Sequence, residues 1–82
     1  SSLPEAGKAI RFFPSPVVTI LFAEPTAPGD HLTVFNALGS PVLQTTTGQG
    51  RTVINLEDQP SGIYLVRLTQ RNRIIRHKVI KQ

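Results

Sequence analysis

Between Ile63 and Thr69 the side chains alternate, with Tyr64, Val66 and Leu68 turned one way and Leu65 and Arg67 the other. Alternation with a period of two marks a strand with one buried face. Pro60-Ser61-Gly62 ahead of it is a turn signal. Behind it, Gln70-Arg71-Asn72-Arg73 breaks the pattern with polar residues, including an asparagine that tolerates the left-handed backbone of a tight turn. Ile74 to Lys81 then resumes an extended run rich in β-branched residues. Two strands and a short turn make a hairpin. With Arg71-Asn72 as a two-residue loop, Leu68 faces Ile75, Val66 faces His77 and Tyr64 faces Val79. A slip of one residue would set Val66 against Arg76 or Lys78, which a buried face rejects.

The rest of the chain reads as further short strands. Ser1 to Ala9 is polar, contains Pro4 and Gly7, and offers little to bury, as expected of a flexible linker. Ile10 to Phe13 is a short strand closed by Pro14-Ser15-Pro16, whose prolines deny a ladder donor and belong at an edge or a crossover. Val17 to Phe22 is the expected second strand, and Glu24 to Asp30, with Pro25, Pro28 and Gly29, the loop after it. His31 to Asn36 alternates, Leu32 and Val34 inward, His31 and Thr33 outward. It leads through Asn36-Ala37-Leu38-Gly39-Ser40, a hairpin loop needing one positive φ at the glycine, into Pro41 to Thr46. Thr47 to Gly50 is a turn, and Arg51 to Leu56 a fifth strand with Thr52, Ile54 and Leu56 on one face. No stretch keeps a helical period, so about seven short strands point to an all-β antiparallel sandwich.

With 82 residues and 39% hydrophobic residues, the chain suffices for one small domain, 10–82, with a modest core. It has no cysteine to staple that core. The first residues lack the apolar core of a signal peptide and no apolar run reaches the ~20 residues that span a bilayer. The chain as given is therefore expected to be soluble, with no direct membrane span.

The net charge of +4 is uneven. Arg67, Arg71, Arg73, Arg76, Lys78 and Lys81 crowd the final hairpin, while Glu5, Glu24, Asp30, Glu57 and Asp58 all precede it. Such an edge suits phosphate, acidic polysaccharide or an acidic protein groove. Equally, lysine and arginine blunt an exposed edge strand against aggregation.

Catalytic chemistry is scarce. His31 and His77 lie on different strands with no third nitrogen ligand and no cysteine, so they read as ordinary histidines and no metal or cofactor is expected. Glu57 and Asp58 are neighbours on an extended segment and point opposite ways, unlike an acid/base pair. Gly48-Gln49-Gly50-Arg51-Thr52 lacks the lysine and the following helix of a phosphate loop, and no serine sits in a nucleophile-elbow context. The expectation is a protein without enzymatic activity.

Five blocks carry a family resemblance. They are Phe13-Pro14-Ser15-Pro16; Leu32 to Val42; Ile54-Asn55-Leu56; Pro60 to Arg67; and Lys78-Val79-Ile80-Lys81-Gln82. In this order they resemble the type A C-terminal sorting domain of the type IX secretion system. The resemblance implies an immunoglobulin-like sandwich that follows a cargo domain in an exported protein of the Bacteroidota and addresses it across the outer membrane. It also implies a localisation, periplasm in transit and then the outer membrane, cell surface or exterior.

Partners implied by the resemblance are an outer-membrane shuttle that collects the cargo and a sortase-type cysteine protease that cuts in the linker, commonly joining the cargo to an anionic lipopolysaccharide. By similarity, Pro14, Pro16, Gly39, Gly62 and Tyr64 keep the fold, with Tyr64 placed like the tyrosine corner of sandwich folds. Lys78 to Gln82 belong to the recognition end. Ser15 stands where asparagine is commoner in the family and Gln59 where leucine is usual. The main rival is an immunoglobulin-like spacer or binding module contacting polysaccharide, which calls for exposed aromatics. Of Phe12, Phe13, Phe22, Phe35 and Tyr64, most fall on inward or half-buried faces. Nucleic-acid binding ranks last, because no aromatics interleave the basic residues.

Overall fold

The computed structural model describes residues 10–14, 16–17 and 19–82. The expected linker 1–9 and Ser15 lie outside the described residues. Seven strands follow one another: β1 (Arg11–Phe13), β2 (Ile20–Thr26), β3 (His31–Phe35), β4 (Pro41–Thr46), β5 (Gly50–Asn55), β6 (Gly62–Thr69) and β7 (Ile74–Lys81). They form two antiparallel sheets, a three-stranded one in the order β1-β2-β5 and a four-stranded one in the order β4-β3-β6-β7. The result is an immunoglobulin-like sandwich in which the fourth strand pairs with the third instead of joining the first sheet.

Alternation builds the core. Phe12, Leu21, Ala23 and Ile54 of the first sheet meet Leu32, Val34, Tyr64, Val66, Leu68 and Val79 of the second, and Val17 and Leu56 enter from the connections. Cross-strand partners then follow the alternation: Tyr64 opposite Val79, Val66 opposite His77 and Leu68 opposite Ile75. This is the register that the side chains of the hairpin demand.

Several boundaries differ from the sequence expectation. The second strand is Ile20–Thr26, not Val17 to Phe22, and Glu24-Pro25-Thr26 extends it where a loop was expected. The pairing of β2 with β5 shifts register between Ala23 and Thr26. A bulge at this point spares the missing amide of Pro25 from ladder duty, so the strand passes through a proline. Val17 is not part of a strand. It forms an isolated parallel bridge with Lys81, donating its amide to the Ile80 carbonyl at 2.8 Å and accepting the Gln82 amide at 2.9 Å.

The chain after β1 thus crosses from the first sheet to the edge of the second and returns, and Pro14 and Pro16 stand exposed in that crossover. The fifth strand stops at Asn55, with buried Leu56 held by its amide to the Thr19 carbonyl at 2.8 Å. Thr33 faces away from the core as expected, yet neighbours in its central strand cover it to 9% exposure. Among the described residues no side-chain-bearing residue adopts positive φ, so Asn72 does not use the left-handed backbone expected of it. Instead the Gln70 amide closes the β6–β7 turn on the Arg73 carbonyl at 2.8 Å.

Candidate functional site

The β6–β7 hairpin enters through a corner fixed by one residue. The Tyr64 ring lies in the core at 3% exposure, and its hydroxyl donates to the Pro60 carbonyl. Ahead of it the Gln59 amide donates to the Leu56 carbonyl and the Glu57 amide to Asn55 Oδ1, so the turn between the sheets is bonded at each step. Gly62 begins the strand at φ 153° and Gly39 closes the β3–β4 turn at φ 86°, both values that side-chain-bearing residues avoid. The carbonyl of Asn36 accepts the Gly39 amide at 2.9 Å, and its Oδ1 accepts the amides of Leu38 and Ser40 at 3.0 Å.

The terminal residues named by the resemblance do not share one surface. Lys78 and Ile80 are exposed on the outer face of the four-stranded sheet, whereas Val79 is fully buried. Lys81 lies in phase with Val79, half-buried and opposite Gly62, and not outward beside Lys78. Gln82 is tied by its backbone to Val17. Of this set, Lys78 and Ile80 therefore stand on the broad outer face.

The two outer faces are chemically different. On the three-stranded sheet, Glu24 accepts hydrogen bonds from Arg11 at 3.2 Å and Arg51 at 3.0 Å. Both guanidinium groups lie over the Phe13 ring, and that of Arg51 also lies over Phe22. Positive charge there is matched by a carboxylate and by aromatic faces. On the four-stranded sheet none of the four strands contains an acidic residue. Arg67 lies directly opposite Arg76, and Lys78 opposite Leu65. The Arg67 guanidinium is stacked 4.8 Å above the Phe35 ring, and its buried Nε has no acceptor among the described residues. A shallow cleft runs along this face from the Asn36 turn between Phe35, Leu65, Arg67, Arg76 and Lys78.

Elsewhere the side chains serve structure. The His77 ring stacks on Phe12 with centroids 5.0 Å apart, while His31 is exposed on the opposite face of the sheet. Glu57 and Asp58 are exposed in the corner before Tyr64. Among the described residues no group of three or more histidines, cysteines or acids is placed to hold a metal ion, and no helix is long and apolar enough to cross a membrane. Phe12 and Tyr64 are buried, and Phe13, Phe22 and Phe35 are half-buried under guanidinium groups.

Sequence reasoning placed Arg67 outward but missed its stack on Phe35. That contact depends on β3 pairing with β6, two strands far apart in the chain, which puts Phe35 opposite Leu65 and Thr33 opposite Arg67. The absence of acids from the four strands was legible in the sequence once their pairing was known.

A family model described as "Secretion system C-terminal sorting domain" matches residues 11–82, from the first residue of β1 onward. No curated protein matches the chain.

Proposed function

Because this chain belongs to the secretion system C-terminal sorting domain family, a family of type IX sorting signals and not of enzymes, we propose that an outer-membrane shuttle recognises the folded sandwich and a sortase-type protease removes it within residues 1–9. A protein carrying such a signal is destined for the cell surface or the exterior. The family match over 11–82 carries the reading. The polysaccharide-binding alternative has less support, because each half-buried phenylalanine already lies beneath an arginine.

In this reading the named residues divide by role. Pro14, Pro16, Gly39, Gly62 and Tyr64 keep the shape, by fixing the crossover, supplying backbone angles that other residues avoid, and locking the corner. Lys78 to Gln82 form the recognition end, with Lys78 and Ile80 displayed and Val79 anchoring them. The shuttle and the protease are the partners, and the cargo is the domain joined ahead of residue 1.

A reporter with an export signal, fused ahead of residues 1–82 in a bacterium possessing type IX secretion, tests this. The parent fusion is expected outside the cell and shortened near residues 1–9. Lys78→Gln with Lys81→Gln is expected to fold, since exposed or half-exposed charges usually change stability by no more than about 0.5 kcal/mol, and to leave the reporter in the periplasm. Normal export of a folded double variant would show that the lysines are not the address. Retention of the parent fusion itself would defeat the sorting role.

A further inference from the structure

The outer face of the four-stranded sheet changes in character along the β6–β7 pair, from apolar to cationic and then, at Thr69 and Ile74, to an uncharged row. Three successive outward rows of the β6–β7 pair are Ile63 with Ile80, Leu65 with Lys78, and Arg67 with Arg76. The first is apolar, the second mixed, the third doubly cationic. Ile63 and Ile80 are 50% and 48% exposed, and Leu65 36%. Rows on one face of a strand are two residues, or about 6.7 Å, apart.

Three observations on this face call for an anion. Like charges stand directly opposite each other at Arg67 and Arg76, an arrangement that weakens a sheet unless something neutralises it. No strand of the sheet supplies a carboxylate, in contrast with the other sheet, where Glu24 serves two arginines. The Arg67 guanidinium is held over Phe35, 4.8 Å from the ring centroid, which limits its freedom and pre-positions it for a carboxylate, and among the described residues its buried Nε has no acceptor.

From this charge pattern we propose that the outer face of the four-stranded sheet binds an extended protein segment with an apolar residue followed, at two-residue intervals, by two carboxylates. The intervals match because an extended chain presents every second side chain to one side, at the same spacing as the rows beneath it. An apolar side chain covers Ile63 and Ile80, the first carboxylate meets Lys78 beside Leu65, and the second meets Arg67 and Arg76. A sugar platform is disfavoured because, of the two aromatics that line this cleft, Phe35 has Arg67 over its ring and Tyr64 is buried. An anionic membrane surface would use the cations but has no counterpart to the stepped apolar rows. The inference rests on the geometry of the face and does not depend on the sorting role.

The test uses the whole chain and a fluorescent peptide, Leu-Ser-Glu-Ser-Glu, read by anisotropy at low salt. Controls are the same peptide with glutamine for glutamate, a peptide with both glutamates moved by one residue so that they face the other way, and phosphatidylglycerol vesicles. Binding of the first peptide is expected to weaken about tenfold or more with either peptide control, and equally with Arg76→Gln plus Lys78→Gln. Both substituted residues are exposed, and thermal unfolding verifies that the variant remains folded. Amide shifts on binding are expected at Phe35, Leu65 and Arg67. Equal binding of the glutamine or displaced-glutamate peptide, unchanged binding by the folded variant, shifts confined to the three-stranded sheet, or capture by vesicles without peptide binding would each overturn the proposal. None of these readouts involves export, so this proposal and the sorting role fail separately.

Discussion

Tyr64 joins two environments, since its ring fills the core while its hydroxyl reaches the Pro60 carbonyl four residues back. Removing the hydroxyl and removing the ring therefore differ in cost. Tyr64→Phe keeps the packing and loses one hydrogen bond, so urea denaturation is expected to show a loss of about 0.5–1.5 kcal/mol. Tyr64→Ala leaves a cavity and is expected to lose about 3–5 kcal/mol, a large share of what a domain this small possesses. If the phenylalanine variant lost as much as the alanine variant, the hydroxyl would be the principal anchor and the packing argument would fail. The tyrosine was legible because a turn signal, Pro60-Ser61-Gly62, stands immediately before an alternating strand. Arg67 was only half legible: its direction follows from alternation, but its seat on Phe35 comes from a strand in a distant part of the chain.

The end of β2 shows what local reasoning omits at the level of an element. Pro25 reads as a strand stop because it lacks an amide, yet the bulge before Thr26 removes the need for one and the strand continues. Thr26 and Thr52 then meet inside the sandwich with their hydroxyls 2.9 Å apart. Thr26 donates to the Gly48 carbonyl at 2.7 Å, and Thr52 accepts the Gly48 amide at 3.1 Å. A neighbouring hydroxyl, that of Thr47, joins the Ala27 carbonyl to the Asp30 amide. Threonines replace ladder bonds where the register shifts, and nothing in their spacing along the chain announces it. By contrast, the register of the β6–β7 hairpin was legible, because its partners are close in sequence and the wrong pairing buries a charge. Thr52→Val preserves shape but strands the Gly48 amide, so a loss of about 1–3 kcal/mol is expected. Adding Thr26→Val is expected to cost less than its single effect, since the pair acts as one network. Strictly additive losses in chemical denaturation would mean that the two hydroxyls work independently.

At the scale of the molecule, the seven-strand sandwich was readable from periodicity, but its division into sheets of three and four strands was not. That division segregates the charges: one outer face pairs its two arginines with Glu24, and the other leaves Arg67, Arg76 and Lys78 without a carboxylate on its strands. The same topology brings Val17 beside Lys81 as a parallel pair, with two backbone hydrogen bonds between the crossover and the last strand. Parallel neighbours pulled at opposite ends slide past each other, so their bonds bear a load together. Antiparallel neighbours pulled from the same end peel apart one bond at a time. Tension applied between Pro16 and Gln82 therefore acts in shear, whereas tension between Ser61 and Gln82 unzips the β6–β7 ladder from Gly62 and Lys81. Single-molecule stretching is expected to require a higher rupture force along the first axis than along the second. Equal forces would mean that the Val17 bridge yields without resistance. A small sandwich built in this way is stiff to a pull along its last strand and soft to one across it, a mechanical polarity set by a single valine outside the ladders.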